Sequence, residues 1–191
     1  MADATPIYGL RFLELGDPPD LAAGTEDLAT DVEAELIRID AATAAINGLT
    51  TVRDDEAVDE AAYSGTTWIP GSTPCAVAFV APPSGTVIVH MKAYFLCSIN
   101  DKGVFVDSEV KTGATLGSGT VVSGGAANSN DGLVLSGTVT SGVPLKLNAG
   151  TSKLITGLTP GNSYNARVMY VTETGGNITI LYRQLLVVPQ L

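Results

Sequence analysis

From Cys75 to the C-terminus, short runs rich in Val, Ile, Thr, Tyr and Phe follow one another, each closed by a turn signal and none carrying a helical period. The runs are 75–81, 86–97, 103–110, 119–123, 132–136, 143–148, 152–157, 163–172 and 177–188. Between them stand Pro82-Pro-Ser-Gly85, Asn100-Asp-Lys-Gly103, Gly117-Ser-Gly119, Asn128-Ser-Asn-Asp-Gly132, Gly161-Asn162 and Gly175-Gly-Asn177. β-Branched and aromatic side chains suit a pleated, half-buried surface, and antiparallel neighbours need only short turns between them. The spacing therefore predicts a mainly β chain whose residues 74–191 form an antiparallel β-sandwich or jelly-roll head.

The first third of the chain reads differently. Residues 1–62 hold 15 Asp/Glu against Arg11, Arg38 and Arg53, a balance of −12, whereas residues 63–191 carry +2. A charge asymmetry of this size implies two physically distinct parts. Residues 1–24 carry Pro6, Gly9, Gly16, Pro18, Pro19 and Gly24 around the cluster Tyr8-Gly-Leu-Arg-Phe-Leu-Glu-Leu15. Such frequent breakers predict an extended arm, either a loose terminus or a peptide that docks on a partner through Tyr8, Phe12 and Leu13.

A helix is expected over 25–49, capped by Gly24-Thr25, with Glu26, Asp27 and Asp31 at the positive end of its dipole and Asn47-Gly48 as its stop. Val32, Ile39 and Ile46 stand seven residues apart, as heptad a positions do, with Leu28, Glu35, Ala42 and Leu49 at d. A seam of about three heptads, interrupted by Glu35, is marginal alone. It either packs within one chain or bundles in parallel through Leu28, Val32, Ile39, Ile46 and Leu49. Residues 50–73 read as a linker: an acidic run, Asp54–Glu60, on a solvated face, then Trp68-Ile69 pinning its end to the head.

Several function classes find no support. No run reaches the roughly 18 apolar residues of a membrane helix, and the N-terminus lacks the basic and apolar regions of a secretory signal. No membrane is therefore expected as a partner, and no dense basic patch exists to neutralise phosphates, so nucleic acid is not expected either. The expected setting is a cytoplasm. Cys75 and Cys97 are too few for a disulfide scaffold and lie in apolar runs. They read as buried thiols, with a cross-strand disulfide as the alternative.

His90 is the single histidine and lies in an apolar run without a GxSxG nucleophile motif, so it reads as a core or interface residue. Close metal-ligand pairs, a P-loop and a dinucleotide fingerprint are all missing, and Asn128–Gly132 reads as a polar turn in place of a calcium loop. The head offers Asp101, Asp107, Glu109, Asp131 and Glu173 to a glycosidase pair, without positive support for one. The expectation is a non-enzymatic protein with no cofactor and no metal.

Two resemblances add to this reading. Gly157-Leu-Thr-Pro-Gly-Asn-Ser-Tyr-Asn-Ala-Arg-Val168 resembles the tyrosine-corner segment of fibronectin type III domains. By that resemblance Tyr164 is the corner tyrosine and Leu158 a core residue. More broadly, four stretches resemble minor tail and fibre proteins of tailed phages infecting actinobacteria. They are Tyr8-Gly-Leu-Arg-Phe-Leu-Glu-Leu-Gly-Asp-Pro-Pro-Asp20 running into the acidic helix that ends at Ile46-Asn-Gly-Leu49, Val80-Ala-Pro-Pro-Ser-Gly-Thr-Val-Ile-Val-His90, Val110-Lys-Thr-Gly-Ala-Thr-Leu-Gly-Ser-Gly119, and the turn Gly157-Leu-Thr-Pro-Gly161.

The second resemblance implies a homotrimeric virion protein assembled in the host cytoplasm, attached by its N-terminus to tail or capsid proteins, with a β head facing outward. The few charges and many Ser, Thr, Asn and Gly side chains of that head would present a polar face able to bind a host-surface glycan or simply to cover the particle. The chain is short for a tail fibre, which keeps a capsid-surface head fibre or decoration protein in view. A carbohydrate-binding adhesion module is a further alternative.

Overall fold

The computed structural model describes residues 3–4, 11–12, 21–47, 49–124, 132–136 and 143–191, with side chains of the helix described at 28–40 and 43. The chain divides into two units, 1–47 and 48–191. In the first, β1 (Asp3–Ala4) pairs antiparallel with β2 (Arg11–Phe12), placing Phe12 opposite Asp3, and α1 spans Leu21–Asn47. Tyr8 and Leu13 lie outside the described residues. The helix starts a turn earlier than its expected Gly24-Thr25 cap, so Gly24 is helical. Ala22 and Ala23 are the strongest helix formers and offset the roughly 1 kcal/mol that a helical glycine costs. The first turn therefore holds no carboxylate, and Glu26 and Asp27 fall in the second.

The second unit is a sandwich of two antiparallel sheets, as the turn spacing predicted. Its strands are β3 (Val52–Glu56), β4 (Ala76–Val80), β5 (Val87–Cys97), β6 (Val104–Thr112), β7 (Val121–Ser123), β8 (Leu133–Leu135), β9 (Leu145–Ile155), β10 (Ser163–Thr172) and β11 (Ile178–Pro189). One sheet has the order β3-β11-β5-β9. The other runs β4-β10-β6, with β7 and β8 pairing successive parts of the far edge of β6.

Strand β5 shows why the sheets face each other. Val87, Val89, Met91, Ala93, Phe95 and Cys97 are all buried, while Ile88, His90, Lys92, Tyr94 and Leu96 occupy the other face. Burying Phe95, Ile180 and Leu185 against Val106, Val168 and Tyr170 removes large apolar surfaces from water, at about 1.5–3 kcal/mol for each side chain.

Residues 50–73 are not a linker. β3 is the edge strand of the four-stranded sheet, with Asp54 opposite Leu185 and Glu56 opposite Arg183. Further along, Tyr63 forms a backbone bridge with Ile178 and Ile69 one with Tyr170. The acidic run is not a solvated face throughout: the Asp54 carboxylate accepts the Ala76 N–H at 2.8 Å, and Glu60 is buried. Runs 143–148 and 152–157 merge into one strand, because the backbone stays extended through Ala149 and Gly150 opposite Ala93 and Lys92.

Two of the stretches that carry the resemblances interlock at one corner. Leu158 N–H donates to the Gly85 carbonyl at 3.0 Å, and Ala81 and Gly161 exchange further backbone bonds with this corner. Gly85 has φ +63°, and a Cβ there would collide with the Leu158 carbonyl, so only glycine fits. Tyr164 is buried, stacks on Phe79 with centroids 5.9 Å apart, and its hydroxyl accepts the Thr159 N–H at 2.9 Å. Leu158 joins the core beside it.

Candidate functional site

Two surfaces have the chemistry of a recognition or assembly site. The first is on α1. At 100° per residue, Leu28, Val32, Leu36 and Ile39 fall on one stripe, and Ile37 projects from the opposite side. All four stripe residues are exposed, between 44% and 55%. Ile46 continues the stripe by spacing, but its side chain lies outside the described residues, and Leu49 is half-buried.

Glu35, the break in the heptad seam, is held by a two-pronged contact: Arg38 Nε to Oε2 at 2.8 Å and Nη2 to Oε1 at 2.6 Å. The Arg38 guanidinium holds the Glu35 carboxyl below its ordinary value. A carboxylate answered by its own neighbour interrupts an apolar seam less than a bare one does.

The second surface is the outer face of the four-stranded sheet. Its residues form cross-strand rows: Leu186, His90 and Ser152; Gln184, Lys92 and Gly150; Tyr182, Tyr94 and Asn148. A bulge between Ile180 and Tyr182 turns Tyr182 onto this face beside Tyr94. Asp55, outward on β3, organises the edge. Its Oδ1 accepts from the Tyr182 hydroxyl at 2.8 Å and from Gln184 Nε2 at 2.7 Å, and its Oδ2 accepts from Arg53 Nε at 2.6 Å. Arg53 first, then Gln184 and Tyr182, pull the Asp55 carboxyl down to about 2. The same bond raises the Tyr182 phenol above its ordinary value, since ionising it sets two anions together.

Beneath this face, inside the sandwich, lies a polar clamp. Arg183 is fully buried and donates Nη1 to Glu60 Oε1 at 3.0 Å and Nη2 to the Val58 carbonyl at 3.2 Å, while its Nε has no partner. Glu60 also accepts from the Ser72 N–H, the Ser72 hydroxyl and the Thr73 N–H at 2.8–2.9 Å. Gly71, at φ +86°, lets the 71–73 backbone wrap this carboxylate. Burial pushes the Glu60 pKa up, but the Thr73 and Ser72 donors together with Arg183 outweigh it and hold the carboxyl at about 2.

Among the described residues, His90 and the acidic side chains Asp107, Glu109 and Glu173 of the head have separate partners. His90 lies on the outer sheet face, with Nδ1 2.7 Å from Ser152 Oγ, and no carboxylate among the described residues bonds to its ring. Asp107 and Glu109 are buried on β6, but each is tied to cations: Glu109 to Arg167 at 2.7 Å and Lys111 at 3.4 Å, Asp107 to Lys153 at 3.6 Å. Glu173 accepts the Gly103 N–H in a turn, and Asp131 lies outside the described residues, as do Asn128, Ser129 and Asn130. No cluster of three or more His, Cys, Asp or Glu able to hold a metal exists among the described residues.

Cys75 and Cys97 are free thiols, buried at the start of β4 and the end of β5 in opposite sheets, so no cross-strand disulfide links them. Burial, then the Asp54 charge, pushes the Cys75 thiol up to about 12. Among the described residues no helix is long and apolar enough to cross a membrane.

Sequence reading missed three of these features: the Asp55 hub, the Glu60–Arg183 clamp and the Tyr94–Tyr182 pair. Alternation along 86–97 could have put Tyr94 and Lys92 on one face. No local signal announces that Glu60 meets a residue more than 120 positions away. The molecule is, by class, an antiparallel β-sandwich joined to a helix with an exposed apolar stripe. No family model matches the chain, and no curated protein matches its sequence.

Proposed function

We propose that the chain is a structural virion protein of a tailed phage, a homotrimeric minor-tail or fibre-type appendage assembled in the host cytoplasm. The exposed stripe of Leu28, Val32, Leu36 and Ile39 carries this reading. An apolar helix face left in water is unfavourable, and bundling copies along α1 covers it while leaving the sandwich, whose core is complete in one chain, to face outward. The resemblance of residues 8–20, 80–90, 110–119 and 157–161 to phage tail proteins points the same way. In this account Tyr8, Phe12 and Leu13 anchor the arm to neighbouring virion proteins, and no catalytic step is required of the head.

A second reading, a capsid-surface head fibre or decoration protein, is favoured by the length of α1. Its 27 residues span about 40 Å, the length of a short stalk. Both readings are tested by replacing Phe12 and Leu13 with Ala and counting copies on purified particles by immunoblot. The expected result is a soluble protein of unchanged mass that no longer joins particles. Normal copy number in the double variant would remove the anchor assignment. Labelling with head-specific antibody and electron microscopy then separates tail from capsid.

A further inference from the structure

We propose that the outer face of the four-stranded sheet is the binding site for an acidic glycan bearing uronate residues. The site rests on the reading above, in which the head faces outward, and names what that head would hold.

The face is built for a flat, polyhydroxylated, negatively charged chain. Tyr94 and Tyr182 stand opposite each other across β5 and β11. A sugar presents apolar C–H groups on one side of its ring and hydroxyls around its rim. An aromatic ring with polar groups at its edge matches that pattern, and tyrosine loses little conformational entropy when it binds. Tyr182 is already positioned by its 2.8 Å bond to Asp55, and Gln184 Nε2 lies 3.2 Å from the same hydroxyl.

Beside the tyrosines, Gly150 stands opposite Lys92. Gly150 has no side chain to stand between Asn148 and Ser152, both exposed on β9. Gln184, Asn148, Ser152 and His90 thus bring amide, hydroxyl and imidazole groups to the row of the two tyrosines and the two rows that follow it.

Charge selects among glycans. The chain carries a net −10, yet on this face Arg53, Lys92 and Lys146 stand against one carboxylate, Asp55, among the described residues. Arg53 pairs with Asp55 at 2.6 Å. Lys92 and Lys146 have no carboxylate partner among the described residues, and the Lys92 ammonium sits 6.0 Å from the Tyr182 ring centroid.

The two lysines flank Tyr94 along the strand direction, Lys92 two residues before it and Lys146 opposite Leu96. A uronate ring seated on Tyr94 would turn its carboxylate toward either ammonium. A polymer of glycerol phosphate carries the charge but no ring to stack. A second copy of this face would set the same lysines against like charges, which disfavours self-contact here.

The test is calorimetric titration of the full chain at low ionic strength with three probes: alginate hexasaccharide, isomaltohexaose and a poly(glycerol phosphate) of similar length. The expected result is binding to alginate alone, weakened by added salt. Tyr94→Ala and Lys92→Gln should each weaken it about tenfold or more, with Tm and solution mass unchanged.

No binding of alginate by the wild-type chain would overturn the proposal, as would equal or tighter binding of either other probe. Unchanged affinity in folded Lys92→Gln and Tyr94→Ala chains would also refute it. A lower solution mass in Tyr94→Ala would mean that the face is a self-contact, with the same consequence. Particle incorporation is scored separately: a chain that binds alginate yet never enters particles refutes the virion reading and leaves the glycan site standing.

Discussion

Substituting Glu60 by Gln should unfold the sandwich disproportionately for so small a chemical change. Four donors converge on its carboxylate: the Ser72 N–H and hydroxyl on Oε2, the Thr73 N–H and Arg183 Nη1 on Oε1. An amide replaces one acceptor with an NH2 group that confronts donors, and it leaves Arg183, 0% exposed, without its anion. Removing one partner of a buried ion pair costs about 3–5 kcal/mol. The depression of the Glu60 carboxyl from 4.5 to about 2, caused by these same donors, corresponds to a figure of the same order, about 3 kcal/mol.

At roughly 3 °C per kcal/mol for a domain of this size, Tm should fall by about 10 °C. The assay is thermal unfolding followed by near-UV circular dichroism, in a double-mutant cycle with Arg183→Met. Methionine removes the buried charge and roughly fills its volume, so the double variant should recover most of the loss. A Tm change under about 2 °C for Glu60→Gln, or strictly additive losses in the cycle, would show that the clamp does not hold the 57–73 segment to the sandwich. The pH dependence has a definite sign. A carboxyl depressed in the folded state contributes stability that is present above its unfolded value of 4.5 and is lost as pH falls toward 2. Wild-type Tm should therefore drop steeply between those values, and Glu60→Gln should flatten that slope.

Three further outcomes follow from the packing of the sandwich. Tyr164→Phe deletes the hydroxyl that satisfies the Thr159 N–H and should cost about 1 kcal/mol, read from urea midpoints at constant m-value; a midpoint equal to wild type would mean that the corner bond is idle. Cys75 and Cys97, both buried, should resist Ellman's reagent at about pH 8 in the native protein and react fully in urea, and prompt native reaction would contradict the packing of β4 and β5. Asp55→Asn removes the anion facing Tyr182, so spectrophotometric titration should show one tyrosine returning toward its ordinary value, and identical titration curves would show that the Asp55 hub does not form.

How far the sequence reaches depends on how local each signal is. The turn at Pro82–Gly85 and the corner at 157–164 are written in contiguous residues with special backbone needs, so both point to a sandwich from the residues alone. β3 is hidden because Val52-Arg-Asp-Asp-Glu56 has a single apolar residue and the composition of a solvated loop, although its burial alternates in the fold. Its place comes from β11, more than 120 residues later, which supplies both a hydrogen-bonded edge and a buried cation. β9 reads as two runs because Ala149 and Gly150 lack strand propensity, and cross-strand pairing to β5 overrides that preference. The apolar stripe of α1 is legible from its seven-residue spacing, whereas the Asp55, Gln184 and Tyr182 array draws on β3 and β11 and has no sequence signature of its own.

Light scattering on the purified full chain, beside a Val32→Asp, Ile39→Asp double variant, tests the central claim most directly. Covering the α1 stripe in a bundle predicts a wild-type mass of three times 19.6 kDa and a monomeric variant whose sandwich melts at the wild-type temperature. A wild-type mass of 19.6 kDa at concentrations up to those found in assembling particles would contradict the trimer, and with it the appendage.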